Sequence, residues 1–201
     1  MNLTILGAAG ATGTQLAGQA LAAGHHVTAL VRSPKKLTVT GPNLYVVQGD
    51  ATDRAAVAQA MKGADAVIST LGAKGPVIAD AARVIVDAAN QDGAPRIVML
   101  SSFAVDRDRL KPAAKLISGM VMGAMIKDKT AGEQALRASG LDWTIVYPTV
   151  LTNGPMTAAT VVPETTKVGM SQKISRADVA SFLLQAATDG HYSRRAVIIT
   201  G

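Results

Sequence analysis

Three glycines stand at regular spacing in Gly7-Ala8-Ala9-Gly10-Ala11-Thr12-Gly13, between the apolar run Leu3-Thr4-Ile5-Leu6 and an Ala-rich stretch of helical period. Glycines let a backbone turn approach an anion closely, and the helix that follows adds amide donors and partial positive charge at its N-terminus. The chemistry such a turn serves is the cradling of a pyrophosphate, as in dinucleotide-binding strand–turn–helix units. The spacing is Gly-x-x-Gly-x-x-Gly, not the commoner Gly-x-Gly-x-x-Gly, and by itself it also fits a plain strand-to-helix turn. The flanking strand and helix favour the dinucleotide. Gly7, Ala9, Gly10, Ala11, Thr12 and Gly13 are its candidate contacts.

The second apolar run ends Leu30-Val31-Arg32-Ser33-Pro34-Lys35-Lys36. An NAD-specific site places a carboxylate here against the ribose hydroxyls, and none is present. Arg32, helped by Lys35 or Lys36, can instead meet a 2′-phosphate through charge-assisted hydrogen bonds. An ordinary solvated basic turn has the same sequence; the missing acid points to NADP over NAD.

Short runs rich in Val, Ile and Leu alternate with Ala-rich helical segments, the pattern of a doubly wound α/β fold with a parallel sheet. Strands are expected over residues 3–6, 27–31, 44–48, 66–70, 96–100, 144–147 and 196–199, and helices over 14–23, 54–61, 77–91, 127–139 and 176–187. Two stretches break the alternation, a Gly- and Met-containing region at 103–126 and a Pro- and Thr-rich loop at 151–173. Both emerge at the carboxyl ends of strands, where doubly wound folds bind ligands, so they are assigned to the substrate side. No segment reads as a linker, and the 201 residues are expected to form one domain spanning 1–201.

Composition narrows the function. Hydrophobic residues make up 48% and charged residues 17%, which describes a chain with a sizeable core. The net charge of +6 is scattered and aromatic residues are only 3%, so stacking platforms for nucleic acid are scarce and an anionic small molecule is the better match. With no cysteine and three poorly spaced histidines, disulfides, thiolate chemistry and a metal centre are not expected. The N-terminus lacks the pattern of a signal peptide, and the uncharged stretch 116–126 is far shorter than the roughly 20 residues of a membrane span, so it is read as a buried or interface element of a cytoplasmic, non-membrane protein.

Several further pieces occur in a fixed order: Gly49-Asp50-Ala51, residues 66–72, Ser101-Ser102, Ser139-Gly140-Leu141-Asp142-Trp143-Thr144 with Pro148, and Ile174-Ser175-Arg176-Ala177-Asp178-Val179. With the glycine turn and Leu30-Val31-Arg32 they resemble the atypical short-chain dehydrogenase/reductases, in particular the NmrA-like and flavin reductase (biliverdin reductase B)-like branch, over nearly the whole chain. The resemblance implies that Asp50 and Ala51 contact the adenine, that Thr70, Leu71 and Gly72 run along the ribose and phosphates, and that Pro148, Thr149 and Val150 border the nicotinamide. Asp50 serves equally as an N-terminal helix cap. Lys74 either reaches a cofactor phosphate or is a solvated loop residue.

Ser101 and Ser102 occupy the position of the superfamily's catalytic serine. The Ser102 hydroxyl suits a substrate carbonyl or the carboxamide, while backbone capping accounts for both hydroxyls as well. The superfamily acid is a Tyr four residues before a Lys, and here that position reads Met125-x-x-x-Lys129. Lys129 can still hold ribose hydroxyls, or it is an exposed lysine one turn before Glu133; Met125 donates no proton. The biliverdin reductase B-like proteins, which this chain resembles, also lack that Tyr and take the proton from solvent. Where they have a His, this chain has Thr149-Val150-Leu151, which counts against biliverdin itself.

Met120, Met122 and Met125 form either an adaptable wall for a flat acceptor or routine packing. Two functions follow: an NADP-dependent reductase of a small flavin, quinone or carbonyl acceptor, with Ser102 and Lys129 as its catalytic residues, or a non-catalytic NADP-binding redox sensor of the NmrA-like kind. A nucleotide-sugar epimerase would need a larger C-terminal domain. The expected partner is a small-molecule acceptor, and the expected state a monomer or homodimer.

Overall fold

A computed structural model describes residues 1–72, 77–91, 93 and 95–201. The first half alternates as the sequence suggested: β1 (Asn2–Leu6), α1 (Ala11–Ala22), β2 (His26–Val31), β3 (Leu44–Gln48), α2 (Arg54–Met61), β4 (Ala66–Ser69), α3 (Val77–Gln91) and β5 (Arg96–Leu100). The second half runs α4 (Pro112–Ala138), β6 (Trp143–Pro148), β7 (Val150–Thr152), β8 (Thr160–Val161), β9 (Lys173–Ser175), α5 (Arg176–Asp189) and β10 (Arg195–Thr200). The main sheet has the order β3-β2-β1-β4-β5-β6-β10-β8; its pairs are parallel except that of β10 with the short edge strand β8. Strand order reverses between β1 and β4, the switch point at which such sheets open a crevice.

Successive strand residues face opposite sides, and the sheet buries both. Leu6, Leu30, Val67, Ile97, Met99 and Ile145 pack into one core with residues of α2, α3 and α4. Ile5, Ala29, Ile68, Val98, Val146 and Ile199 pack into the other with residues of α1 and α5. Helices therefore cover both faces, and the chain is a doubly wound α/β fold.

The main difference from the sequence reading lies in residues 103–126. An irregular stretch was expected, but helix begins at Pro112 and runs 27 residues without a break. Gly119 and Gly123 suggested an interruption, yet each costs a helix only about 1 kcal/mol, and the Ala, Leu and Met residues around them are good helix formers. Of the two readings of 116–126, buried or interface, burial fails for Leu116, Ile117, Met120 and Val121, which are exposed, and holds for Ser118 and Ile126. Although α4 is long, no helix among the described residues is long and apolar enough to cross a membrane. The loop 151–173 is also less irregular than expected, because β7 pairs with β9 in a separate two-stranded sheet.

Two carboxylates fasten the helices that shape the crevice. Asp128 on α4 is buried and accepts from the backbone amides of Ile78 (3.0 Å) and Ala79 (2.9 Å), so one helix caps the N-terminus of its neighbour. Ser175 caps α5 by accepting from the Asp178 amide, and Asp178 in turn holds the amide of Thr157 at 2.6 Å, tying the loop after β7 to that helix. Removing the first of these leaves two buried donors unpaired. Asp128→Ala is expected to lower stability by about 2 to 4 kcal/mol, read as a lower urea midpoint at unchanged slope.

Candidate functional site

A cleft of about 1030 Å³ opens along the carboxyl ends of β1, β2, β4, β5 and β6. It starts at the glycine turn. Gly7 has φ +87°, a conformation side chains rarely adopt, and a Cβ on Gly13 would lie 2.1 Å from the Gly7 carbonyl oxygen, so α1 sits closer to β1 than any other residue would allow. Gly10 differs: a Cβ there meets only the Gly7 carbonyl oxygen at 3.2 Å, and the residue borders the cleft. Among the described residues no side chain caps α1, which begins at Ala11. An open helix N-terminus beside a cradle that a Cβ would fill fits a dinucleotide pyrophosphate.

The sites expected from sequence converge. Gly7, Ala9, Gly10, Ala11, Thr12, Arg32, Lys36, Asp50, Ala51, Thr70, Leu71, Gly72, Ser101, Ser102, Lys129, Pro148, Thr149 and Val150 all line the cleft. Gly13 does not; its part is the close packing of α1 on β1. Lys74 lies outside the described residues. Asp50 is not the helix cap that was its alternative role, because Asp53 caps α2 by accepting from the Ala55 and Ala56 amides. Asp50 turns one carboxyl oxygen, Oδ1, to the Thr52 amide and hydroxyl at 2.9 and 2.8 Å, and these bonds, aided by Arg32, hold its pKa below the ordinary value.

Lys129 is not the exposed lysine that was the alternative. It is buried, it lines the cleft, and its Nζ donates to the Leu100 carbonyl at 3.3 Å. Burial pulls its pKa down to about 8, against the opposing pull of Glu133 and Asp128. Of the two serines, Ser102 makes a backbone bond of the capping kind, whereas Ser101 bonds a side chain instead. Ser101 lines the cleft and donates its hydroxyl to Glu133 at 2.5 Å; Ser102 accepts from the Ala104 amide at 3.3 Å, which leaves its hydroxyl proton to donate.

Some lining residues escaped the sequence reading. Leu100, Phe103, Leu151 and Met170 join Met122 and Met125 in an apolar wall, and Arg176, held by Asn153 Oδ1 at 2.7 Å, borders the cleft from the start of α5. Met120, grouped with the other two, is exposed. Glu133 was passed over, although it follows Lys129 by four residues and shares its helix face. It is buried and accepts from both Ser101 and the Tyr147 hydroxyl, each at 2.5 Å; burial raises its pKa, and burial together with this carboxyl raises that of Tyr147.

Residues 7–190 match a family described as NAD(P)H-binding. The chain belongs to the NAD(P)H-binding family. A relative from Streptomyces griseus subsp. griseus, a (4-alkanoyl-5-oxo-2,5-dihydrofuran-3-yl)methyl phosphate reductase, is 32% identical over 208 residues, covering 99% of this chain and 67% of its own length. Among solved structures, the anaerobillin reductase ChuY from Escherichia coli O157:H7 is 26% identical with a TM-score of 0.84, covering 100% of this chain and 97% of the other. A short-chain dehydrogenase/reductase from Veillonella parvula DSM 2008 in complex with NADP, 22% identical over 100% of this chain and 94% of its own, shares the fold at a TM-score of 0.84. The resemblance to atypical short-chain reductases is thereby borne out, and of the two functions considered the chain is an NAD(P)H-dependent oxidoreductase.

Two expectations test this geometry. Gly10→Val should fold normally, because only one backbone oxygen crowds the new side chain, yet lose dinucleotide binding in a calorimetric titration. The second concerns Lys129, whose pKa is depressed by folding. The unfolded chain binds the extra proton between pH 8 and 10.5, so stability rises with pH across that window, and below pH 8 the buried cation costs its full penalty. Lys129→Met should therefore be more stable than the parent at pH 7, by up to about 3 kcal/mol, with the gap narrowing above pH 8 in denaturant melts.

Proposed function

We propose that the chain reduces a small conjugated acceptor, a flavin, a quinone or an activated carbonyl compound, using NADPH in preference to NADH, with the proton drawn from solvent. The observation that carries this reading is the order of the sheet. It sets Arg32 and Lys36, after β2, on one side of the glycine turn, and Ser102, Lys129 and the apolar wall, around β5 and β6, on the other. A dinucleotide lying across the switch point would meet the basic pair at its adenosine end and the serine and lysine at its nicotinamide end.

When bound, the nicotinamide supplies a hydride. The chain's own groups do the rest. Arg32 and Lys36 neutralise a 2′-phosphate, and Asp50 offers a carboxylate to the adenine amino group. Lys129 has three donors and gives one to Leu100, which leaves the others for ribose hydroxyls. Ser102 donates its hydroxyl toward the carboxamide or the acceptor oxygen. Phe103, Met122, Met125 and Met170 give a flat acceptor an apolar, pliable surface and keep water from the transferred hydride.

Met125 in place of the usual tyrosine leaves no phenol at the acceptor. A simple ketone needs its developing alkoxide stabilised at once, whereas a conjugated acceptor spreads the charge and tolerates later protonation. The names of the two relatives, one an unsaturated lactone reductase and the other an anaerobillin reductase, are in keeping with conjugated acceptors.

The test is NADPH oxidation against a panel of flavins, quinones, enones and simple ketones, alongside titration with both cofactors. NADPH should bind more tightly than NADH by about 1.5 to 3 kcal/mol, a gap that Arg32→Ala largely removes, and turnover should be fast with conjugated acceptors and slow with ketones. Equal affinities, or rapid ketone reduction, would overturn the reading.

A further inference from the structure

A second cavity, of about 410 Å³, lies beyond the serine and lysine and is lined by Glu133 and Tyr147 together with Asp106, Gln134 and Arg137. Gln134 and Arg137 are exposed, so this cavity reaches the surface. Ser101 lines the main cleft, and Glu133 and Tyr147 line the second cavity. Between the two run two hydrogen bonds of 2.5 Å, from Ser101 Oγ to Glu133 Oε1 and from the Tyr147 hydroxyl to Glu133 Oε2. Arg137 Nη2 donates to the Tyr147 oxygen at 3.3 Å. Glu133 forms no ion pair within salt-bridge distance among the described residues. A buried carboxyl served by two hydroxyls, with Lys129 and Arg137 near but outside ion-pair distance, is an expensive way to join α4 to β5 and β6, since an apolar contact would do so without desolvating it.

We propose that Ser101, Glu133 and Tyr147 form a proton path that carries protons from water in the second cavity to the acceptor side of the main cleft. The proposal rests on the reductase reading and names the route of the proton that Met125 cannot give. The step begins when Glu133 is protonated on Oε1 and the Ser101 hydroxyl rotates from the carboxyl toward the cleft, so that the observed Ser101-to-Glu133 bond reverses and Oε1 donates to Ser101 Oγ. The Ser101 hydroxyl releases its proton to the reduced acceptor's anion in the cleft and takes the proton from Glu133 Oε1. Glu133 Oε2 takes the proton of the Tyr147 hydroxyl, which is replaced from water. One proton leaves solvent, one reaches the product, and rotation of the carboxyl resets the path. Burial favours the neutral carboxyl this step needs. The groups that bear on its charge are Lys129 and Arg137 on α4, Tyr147 on β6, the Ser101 hydroxyl after β5, and Asp106 across the second cavity.

The variants are Tyr147→Phe and Glu133→Gln, both close in shape to the parent, assayed with NADPH and whichever quinone or flavin the parent reduces. Each should lower kcat by about tenfold or more with little change in the KM for NADPH, and raise the solvent deuterium isotope effect. Added imidazole, small enough to enter the second cavity, should restore part of the rate to Tyr147→Phe and none to Glu133→Gln. A loss of rate with an unchanged isotope effect and no rescue would mean that the residues only support the fold, and would overturn the path. A readout independent of turnover is carbon-13 NMR of the cofactor-free chain, in which the Glu133 carboxyl should titrate above the ordinary glutamate range; a carboxyl ionised throughout that range would overturn the path even if Glu133→Gln failed to fold. A parent that reduces no acceptor would overturn the reductase reading and the path with it, whereas an active parent with unaffected variants would overturn the path alone.

Discussion

A Cβ on Gly13 would stand 2.1 Å from the carbonyl oxygen of Gly7, and the rest of the site depends on that missing atom. Because α1 can lie this close to the end of β1, its first amides point into the crevice at the reversal of strand order instead of over the sheet. Thr70, arriving from β4, donates its hydroxyl to the carbonyls of Leu6 and Gly7 at 3.1 and 3.2 Å and so fixes the turn from the other strand of the switch point. A larger residue at position 13 would lift the helix, move the amides and part this contact together. Gly10 is held by nothing comparable, and its small size serves the space beside it, not the packing beneath it.

The second determinant is the unbroken helix α4. Its single surface carries Asp128, which caps α3, Lys129, which borders the cleft, and Glu133, which bonds β5 and β6 through Ser101 and Tyr147. Three ionisable groups buried within two turns disfavour folding, and the depressed lysine pKa reports part of that penalty. Asp128 offsets its share through two amides. Among the described residues Lys129 donates to one carbonyl, which offsets little of the cost of its burial, and under the proposed reading the remaining donors serve a ligand.

What the sequence made legible follows from how local each signal is. The glycine turn, Arg32 and the alternation of strands and helices up to β5 are written in contiguous residues, and all appear where expected. The long helix was obscured because Gly119, Gly123 and exposed apolar residues look irregular when tertiary contacts are ignored; Asp128, whose partners are 49 and 50 residues away, is what anchors it. Phe103, Met170 and Arg176 reach the cleft only through the packing of distant segments, so no local spacing marks them. Glu133 was legible in principle: once Lys129 is placed in the cleft, the residue four positions on shares its face. The sequence places Lys129 in the site, and only the glutamate, weighed as its partner in an exposed pair, is missed.

The loss of the tyrosine and the character of the cleft fit a single physical scheme. A phenol and lysine placed together stabilise charge on a localised oxyanion, which a simple carbonyl requires. With Met125 there instead, an acceptor seated as proposed would meet a soft apolar surface that suits an extended π-system through contact area and does little for a localised charge. An acceptor that can hold the charge itself relaxes the demand on timing, so its proton can arrive after the hydride and from farther away. Such an arrangement needs a dry surface for the acceptor and a separate, wetter approach for the proton. The two cavities, linked by the Ser101–Glu133 hydrogen bond, suit that division under the proposed reading: the first carries Leu100, Phe103, Met122 and Met125 beside Ser102 and Lys129, and the second, which reaches the surface, carries Asp106, Gln134 and Arg137 alongside Val105 and Ala196.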